Sequence, residues 1–211
     1  RAVGLGLRGP VDAAEIDEVE AFYRSEGITP EVELCPLADA SLHTLLRDRG
    51  YQYRSCTSVL AYGGGILPPA PDDVEVSVVS PEQPGVWAHT IAGCMGATSP
   101  QPDNAPDILL PRSALMRSNV TGFLATIDEE PVGAGAIALG GGVAILFSDC
   151  TLPAFRRRGV QSALIRARLA AASAASYHLV VAQTVPGSDS QRNLHRHGFQ
   201  AVYTNVILGR P

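Results

Sequence analysis

Arg156, Arg157 and Arg158 run straight into Gly159, and small residues at helical spacing follow at once. The chemistry open to such a turn is anion binding. A helix start leaves backbone N–H groups without helical partners, and the helix dipole adds about half a positive charge there. Gly159 removes a side chain where main chain must approach an anion, Val160 and Ser162 are small, and the arginines add charge. A solvated basic turn and a nucleic-acid contact would use the same residues. The formal net charge of −5 speaks against a general nucleic-acid binder.

Other reactive side chains form no comparable pattern. Cys35, Cys56, Cys94 and Cys150 lie far apart in sequence, without CxxC or Cys/His ligand spacing. They are expected to be four separate thiols in a reducing, cytoplasmic compartment. No HExxH or similar motif occurs, so no metal is expected. His195 and His197 are expected to be exposed polar residues. No apolar run reaches the roughly 18 residues of a membrane span, so no membrane partner is expected. The chain begins at Arg1 in an apolar run, and an upstream segment is expected.

Elements must hold the turn in place. Gly, Pro and Asp crowd residues 63–73, the best linker in the sequence. It separates a first domain, 1–62, from a second, 74–211. The second reads as β-α-β-β-β-α-β-α-β. Strands are expected over 74–80, on either side of the acidic turn Asp128-Glu129-Glu130, over 142–152, over 177–185 and from Phe199 on. Helices are expected over 81–96, entered through Pro81, over 159–176, and over 188–198 with Ser188 as N-cap. Residues 97–107 are rich in turn formers and read as a loop. Leu164, Ala167, Ala171 and Ala174 would form the thin apolar face of the long helix.

The first domain echoes the end of the second. Residues 50–60, GYQYRSCTSVL, align without gaps on 198–208, GFQAVYTNVIL, with Gly, Gln and Leu identical. The preceding segments match in pattern, so an α-β-α-β half-unit is expected twice. The earlier copy enters its first helix through Pro10, Asp12 and Glu15. Carboxylates at that positive helix end would repel a phosphate, so the first half is expected to be structural. Its strands need a sheet partner, from an upstream segment or the second domain.

The sequence LPAFRRRGVQSALI, then a helix, a strand and PGSDSQRNLHRHGF, resembles the GCN5-related N-acetyltransferase family over residues 74–211. The resemblance implies a GNAT-type α/β (α+β) fold, a mixed and mostly antiparallel sheet flanked by helices, here preceded by the partial αβαβ unit. The family's R/Q-x-x-G-x-G/A turn reads Arg156-Arg157-Arg158-Gly159-Val160-Gln161, with Gln161 departing from the pattern. That side chain must point away from the phosphates. The resemblance further implies that acetyl-CoA is the co-substrate. Its pantetheine would insert beside the strand before the turn, bound by backbone of Cys150 and Leu152. Its pyrophosphate would rest on N–H groups of Arg157, Arg158, Gly159, Val160, Gln161 and Ser162.

The amine attacks the thioester directly, so the family needs no enzyme nucleophile. Where many members carry a tyrosine on the last helix, this chain has Leu194. Asn193 could bind pantetheine or thiolate, Ser190 could donate a proton, and Asp149 could serve as base. Helix capping or edge positions would explain the same three residues. Glu129 and Glu130 read as solvated hairpin residues, and Trp87 and Phe123 as core. The acceptor would be a small-molecule or peptide amine, met by residues 81–112, where Asp103 and Asp107 lie. A homodimer is open. The competing function is a catalytically weak CoA-binding or sensing module, which the missing tyrosine and Gln161 both favour.

Overall fold

The computed structural model describes residues 1–69, 71–80, 84–96 and 102–210. In chain order the elements are α1 (Ala13–Ser25), β1 (Glu31–Leu34), α2 (Ala40–Asp48), β2 (Gln52–Tyr62), β3 (Glu75–Val78), α3 (Gly85–Cys94), α4 (Pro106–Leu115), β4 (Val120–Ile127), β5 (Glu130–Gly140), β6 (Val143–Thr151), a 3₁₀ turn (Pro153–Phe155), α5 (Val160–Ala174), β7 (Leu179–Thr184), α6 (Asp189–Arg196) and β8 (Phe199–Gly209). The fold is mixed α/β, with a mostly antiparallel sheet of eight strands.

Two compact units divide the chain. The smaller comprises Arg1–Val59, Thr184–Gln191 and the residues from Ala201 onward. Its strands follow the order β1-β8-β2, with Val32 opposite Leu208 in the antiparallel β1–β8 pair. Ile16 of α1 and Leu42 and Leu46 of α2 are fully buried on this layer with Val32. Asp12 caps α1 in a reciprocal box: Glu15 N–H donates to Asp12 Oδ1 at 3.0 Å, and Asp12 N–H to Glu15 Oε2 at 3.0 Å. The carboxylates expected at that helix start do occupy its free amides. Ser188 is the N-cap expected for α6, accepting from Gln191 N–H at 3.1 Å.

The larger unit, Leu60–Gln183 and Arg192–Gln200, orders its strands β7-β6-β5-β4-β3. All neighbours are antiparallel except the parallel β6–β7 pair. The β4–β5 hairpin turns on Asp128 and Glu129, both at positive φ (50° and 66°). That is the type I′ geometry whose twist suits two strands. Both acids are exposed, as expected of a solvated hairpin.

Packing on β5 explains its run of glycines. Ala134 and Ala136 face Trp87 and Ile91 of α3. Gly133, Gly135 and Ile137 face α5, where a Cβ on Gly133 would lie 2.5 Å from Val160 Cγ1. The missing side chains let α5 approach the sheet.

Two expectations need correction. Residues 106–115, read partly as loop, form α4, started by Pro106 in the first turn, where its missing N–H costs nothing. Turn-forming residues just ahead hid it, as did Pro111 inside it. The α5 face is broader than the alanine stripe. Val160, Ala163, Leu164, Ile165, Arg168, Leu169 and Ala172 are buried and Ala167 and Ala171 pack against the core, while Ala174 is exposed. Helix α3 begins at Gly85, and its expected entry through Pro81 lies outside the described residues, as do residues 97–101 of the expected loop.

Candidate active site

Strands β6 and β7 part at the site. Their ladder runs from Val143↔Leu179 to Leu146↔Ala182, while β6 continues to Thr151. A bulge lies where the ladder stops. Ala136 faces Phe147 and Ala134 faces Cys150, so Gly135 alone opposes both Ser148 and Asp149. Ser148 adopts φ 54°, a left-handed conformation uncommon outside glycine.

Beyond the bulge, Leu152 N–H donates to Val132 O at 2.9 Å, and Leu152 O accepts from Phe155 N–H at 2.9 Å. Leu152 therefore spends its N–H on β5. Backbone groups alternate sides along a strand, so Thr151 turns its groups away from β5. Of the two residues expected to meet pantetheine, Leu152 thus has both backbone groups bonded within the protein.

The arginine turn follows the 3₁₀ turn. Arg157 has φ 64° and Gly159 φ 80°. Two left-handed residues swing the chain sharply into α5. No side chain caps α5, and its first turn carries no acid. This is the opposite of the box on α1. A Cβ on Gly159 would lie 2.2 Å from Pro71 Cγ. Arg158 pairs with Asp73 at 2.6 Å and sits 5.6 Å over the Phe155 ring. Arg166 Nη1 donates to Pro68 O at 2.7 Å. The proline-rich segment thus lies along α5.

Gln161, the departure from the family pattern, accepts at Oε1 from Asn193 Nδ2 at 2.9 Å. Its side chain reaches α6. Asn193 is buried, and Arg196 Nη2 donates to its Oδ1 at 3.2 Å. Ser190 is half-buried on the same helix. Leu194, in the tyrosine's place, is core at 2% exposure. His197, expected at the surface, is 1% exposed and donates from Nδ1 to Asn193 O at 2.8 Å. The Gly198 turn directs it inward. His195 is exposed as expected.

Asp149, expected as base, accepts on both oxygens from the fully buried Arg168, at 2.8 Å between Nη1 and Oδ2. Both oxygens are thereby engaged. Sequence reasoning missed Arg168; the available signal was an arginine three to four residues from Leu164, Ile165 and Ala172 on one helix.

All four thiols are free, as expected. Cys94, at the end of α3, and Cys150 act on each other: Cys150 and the charge of Arg156 lower the Cys94 pKa, and Cys94 with burial raises that of Cys150. Cys150 S–H donates to Thr90 O at 3.9 Å. Trp87 is core, its Nε1–H donating to Gly135 O at 3.0 Å, and Phe123 is also buried. Of the acids expected to meet an acceptor, Asp103 binds His89 Nε2 at 3.0 Å.

A mixed sheet whose parallel β6–β7 pair parts ahead of an uncapped, glycine-started helix defines the class, a GNAT-type fold. Residues 89–199 match the family model described as Acetyltransferase (GNAT) family, and the chain belongs to that family. Solved structures agree in fold. A GCN5-related N-acetyltransferase from Kribbella flavida is 24% identical with TM-score 0.69, over 96% of this chain and 77% of that one. One from Sphaerobacter thermophilus is 15% identical with TM-score 0.68, over 93% and 67%. A tandem GNAT protein from the clavulanic acid biosynthesis pathway is 12% identical with TM-score 0.67, over 93% and 68%. No curated protein matches the chain. Among the described residues, no helix is long and apolar enough to cross a membrane.

Proposed function

We propose that the protein transfers an acetyl group from acetyl-CoA directly to a primary amine. The observation that carries this reading is the uncapped, acid-free start of α5, led by two left-handed residues, beside the parting of β6 and β7. A helix start without a side-chain cap, and its dipole, suit a pyrophosphate. The unclaimed edge of β6 suits the amides of pantetheine, met by Thr151 and its neighbours. Gln161 is compatible with this because its side chain is drawn to Asn193.

In the reaction, the amine nitrogen bonds to the thioester carbon, the carbon–sulfur bond breaks, and CoA leaves as thiolate. The ammonium proton passes to water, since both Asp149 oxygens already accept from Arg168. Asn193, beside the family's acid position at Leu194, and Ser190, one turn earlier on α6, are the polar groups assigned to the leaving thiolate. We also propose that residues 1–62 are a degenerate half of the same fold, with 63–73 as linker and 74–211 as the catalytic domain. The repeated α-β-α-β order supports this, as does the likeness to a protein titled as a tandem GNAT.

The test is CoA release from acetyl-CoA across small amines, amino acids, aminoglycosides and peptide N-termini. Turnover with at least one amine supports the transferase. Leu194 in the core, in place of a tyrosine, favours a second reading, CoA sensing. Tight CoA binding with no turnover on any amine would select it.

A further inference from the structure

We infer that Arg168 and Asp149 are a positioning pair that sets the bulged end of β6 for the pantetheine arm of acetyl-CoA. This rests on the acetyl-CoA reading above. The bulge opposes Gly135 to both Ser148 and Asp149. Two side chains bond to β5 carbonyls beside it. Trp87 Nε1–H donates to Gly135 O at 3.0 Å, and Arg168 Nη1 to Ala136 O at 3.3 Å.

Arg168 does more than meet that carbonyl. Its Nε donates to Leu164 O at 2.9 Å, one turn back on α5, and its two Nη atoms hold Asp149 on both oxygens. One planar fork therefore ties α5, β5 and the bulge of β6 together. Gly135 makes room, since a Cβ there would lie 2.9 Å from Arg168 Cζ. Asp149 stands two residues before Thr151, on the stretch of β6 that has left β7.

A buried arginine is costly to desolvate, and exchange of such a pair for apolar residues is often neutral or stabilising. Stability alone does not account for it. The fork fixes the direction of the Asp149 side chain, and with it the backbone orientation of the residues after the bulge. The same helix that starts at the arginine turn thus also aligns the strand. The phosphates and the arm of one co-substrate are served by opposite ends of one rigid connection.

The test is calorimetric titration of the full chain with CoA and with 3′-phospho-ADP, the same headgroup without the arm. Arg168→Lys keeps the charge and loses the fork, and Asp149→Asn keeps the shape and loses the charge. The expected result is CoA binding weaker by about tenfold or more in both, with 3′-phospho-ADP binding unchanged. Equal weakening of both ligands would mean general destabilisation and overturn the inference, as would no change in either. Where the single variants do not fold, the double variant Arg168→Met with Asp149→Asn removes both charges together and is expected to show the same split. Failure of all three to fold would assign the pair to stability and likewise overturn it. Wild-type protein that binds neither ligand sinks the acetyl-CoA reading itself. Wild-type binding with unaltered variants sinks only the present inference.

Discussion

Cys94 and Cys150 show how one contact splits two identical groups. The Cys150 side chain lowers the Cys94 pKa, and the Arg156 charge adds to that effect. Cys94, with burial, raises the pKa of Cys150, whose S–H donates to Thr90 O at 3.9 Å. The thiolate is the reactive species, so iodoacetamide should label Cys94 well before Cys150. Peptide mass mapping at rising pH checks this, and equal labelling would contradict it. Because Arg156 begins the proposed pyrophosphate turn, bound CoA should slow the labelling of Cys94.

Helices α1 and α5 differ at their first turns, and that difference is open to test. Asp12 occupies the free amides of α1. Asp12→Ala should cost about 1 kcal/mol of stability and leave CoA affinity unaltered. On α5, Gly159 holds φ 80°. Gly159→Ala forces a side chain into a left-handed backbone at a cost of about 1–2 kcal/mol. It also drives a methyl group against Pro71. CoA affinity should drop by about tenfold or more, since the turn that presents the amides must shift. Urea unfolding and calorimetry on the two variants separate the effects. Similar losses of affinity in both would show that helix-end chemistry is not what binds the co-substrate.

The smaller unit's core sets a limit on the molecule at high pH. Burial, with the negative charge of Glu20, pushes the Tyr51 phenol up to about 12. An unfolded tyrosine titrates near about 10. A raised folded value means the stabilising contribution is whole below about pH 10 and is lost as pH climbs through about 12. Tyr51→Phe should remove that alkaline loss. Its cost at neutral pH should be about 1 kcal/mol, for the bond to Glu20 Oε1. Urea midpoints measured between about pH 9 and 12 check the slope, and parallel curves for both proteins would refute it.

The residues themselves determined the strand and helix order of the larger unit, the I′ hairpin at Asp128-Glu129, the carboxylate box on α1 and the glycine-led start of α5. Each is governed by chemistry within a few neighbouring residues: alternation, capping, or a φ that favours glycine. Helix α4 stayed hidden for the same reason, since its prolines and the turn formers ahead of it imitate a loop locally. Tertiary structure alone decided what depends on partners distant in sequence. It brought Cys94 to Cys150, buried His197, tied Gln161 to Asn193, and gave Asp149 to Arg168 in place of an ammonium. It also placed a bulge in β6 opposite Gly135, because a bulge changes which residue faces which without leaving a mark in the pattern of side chains.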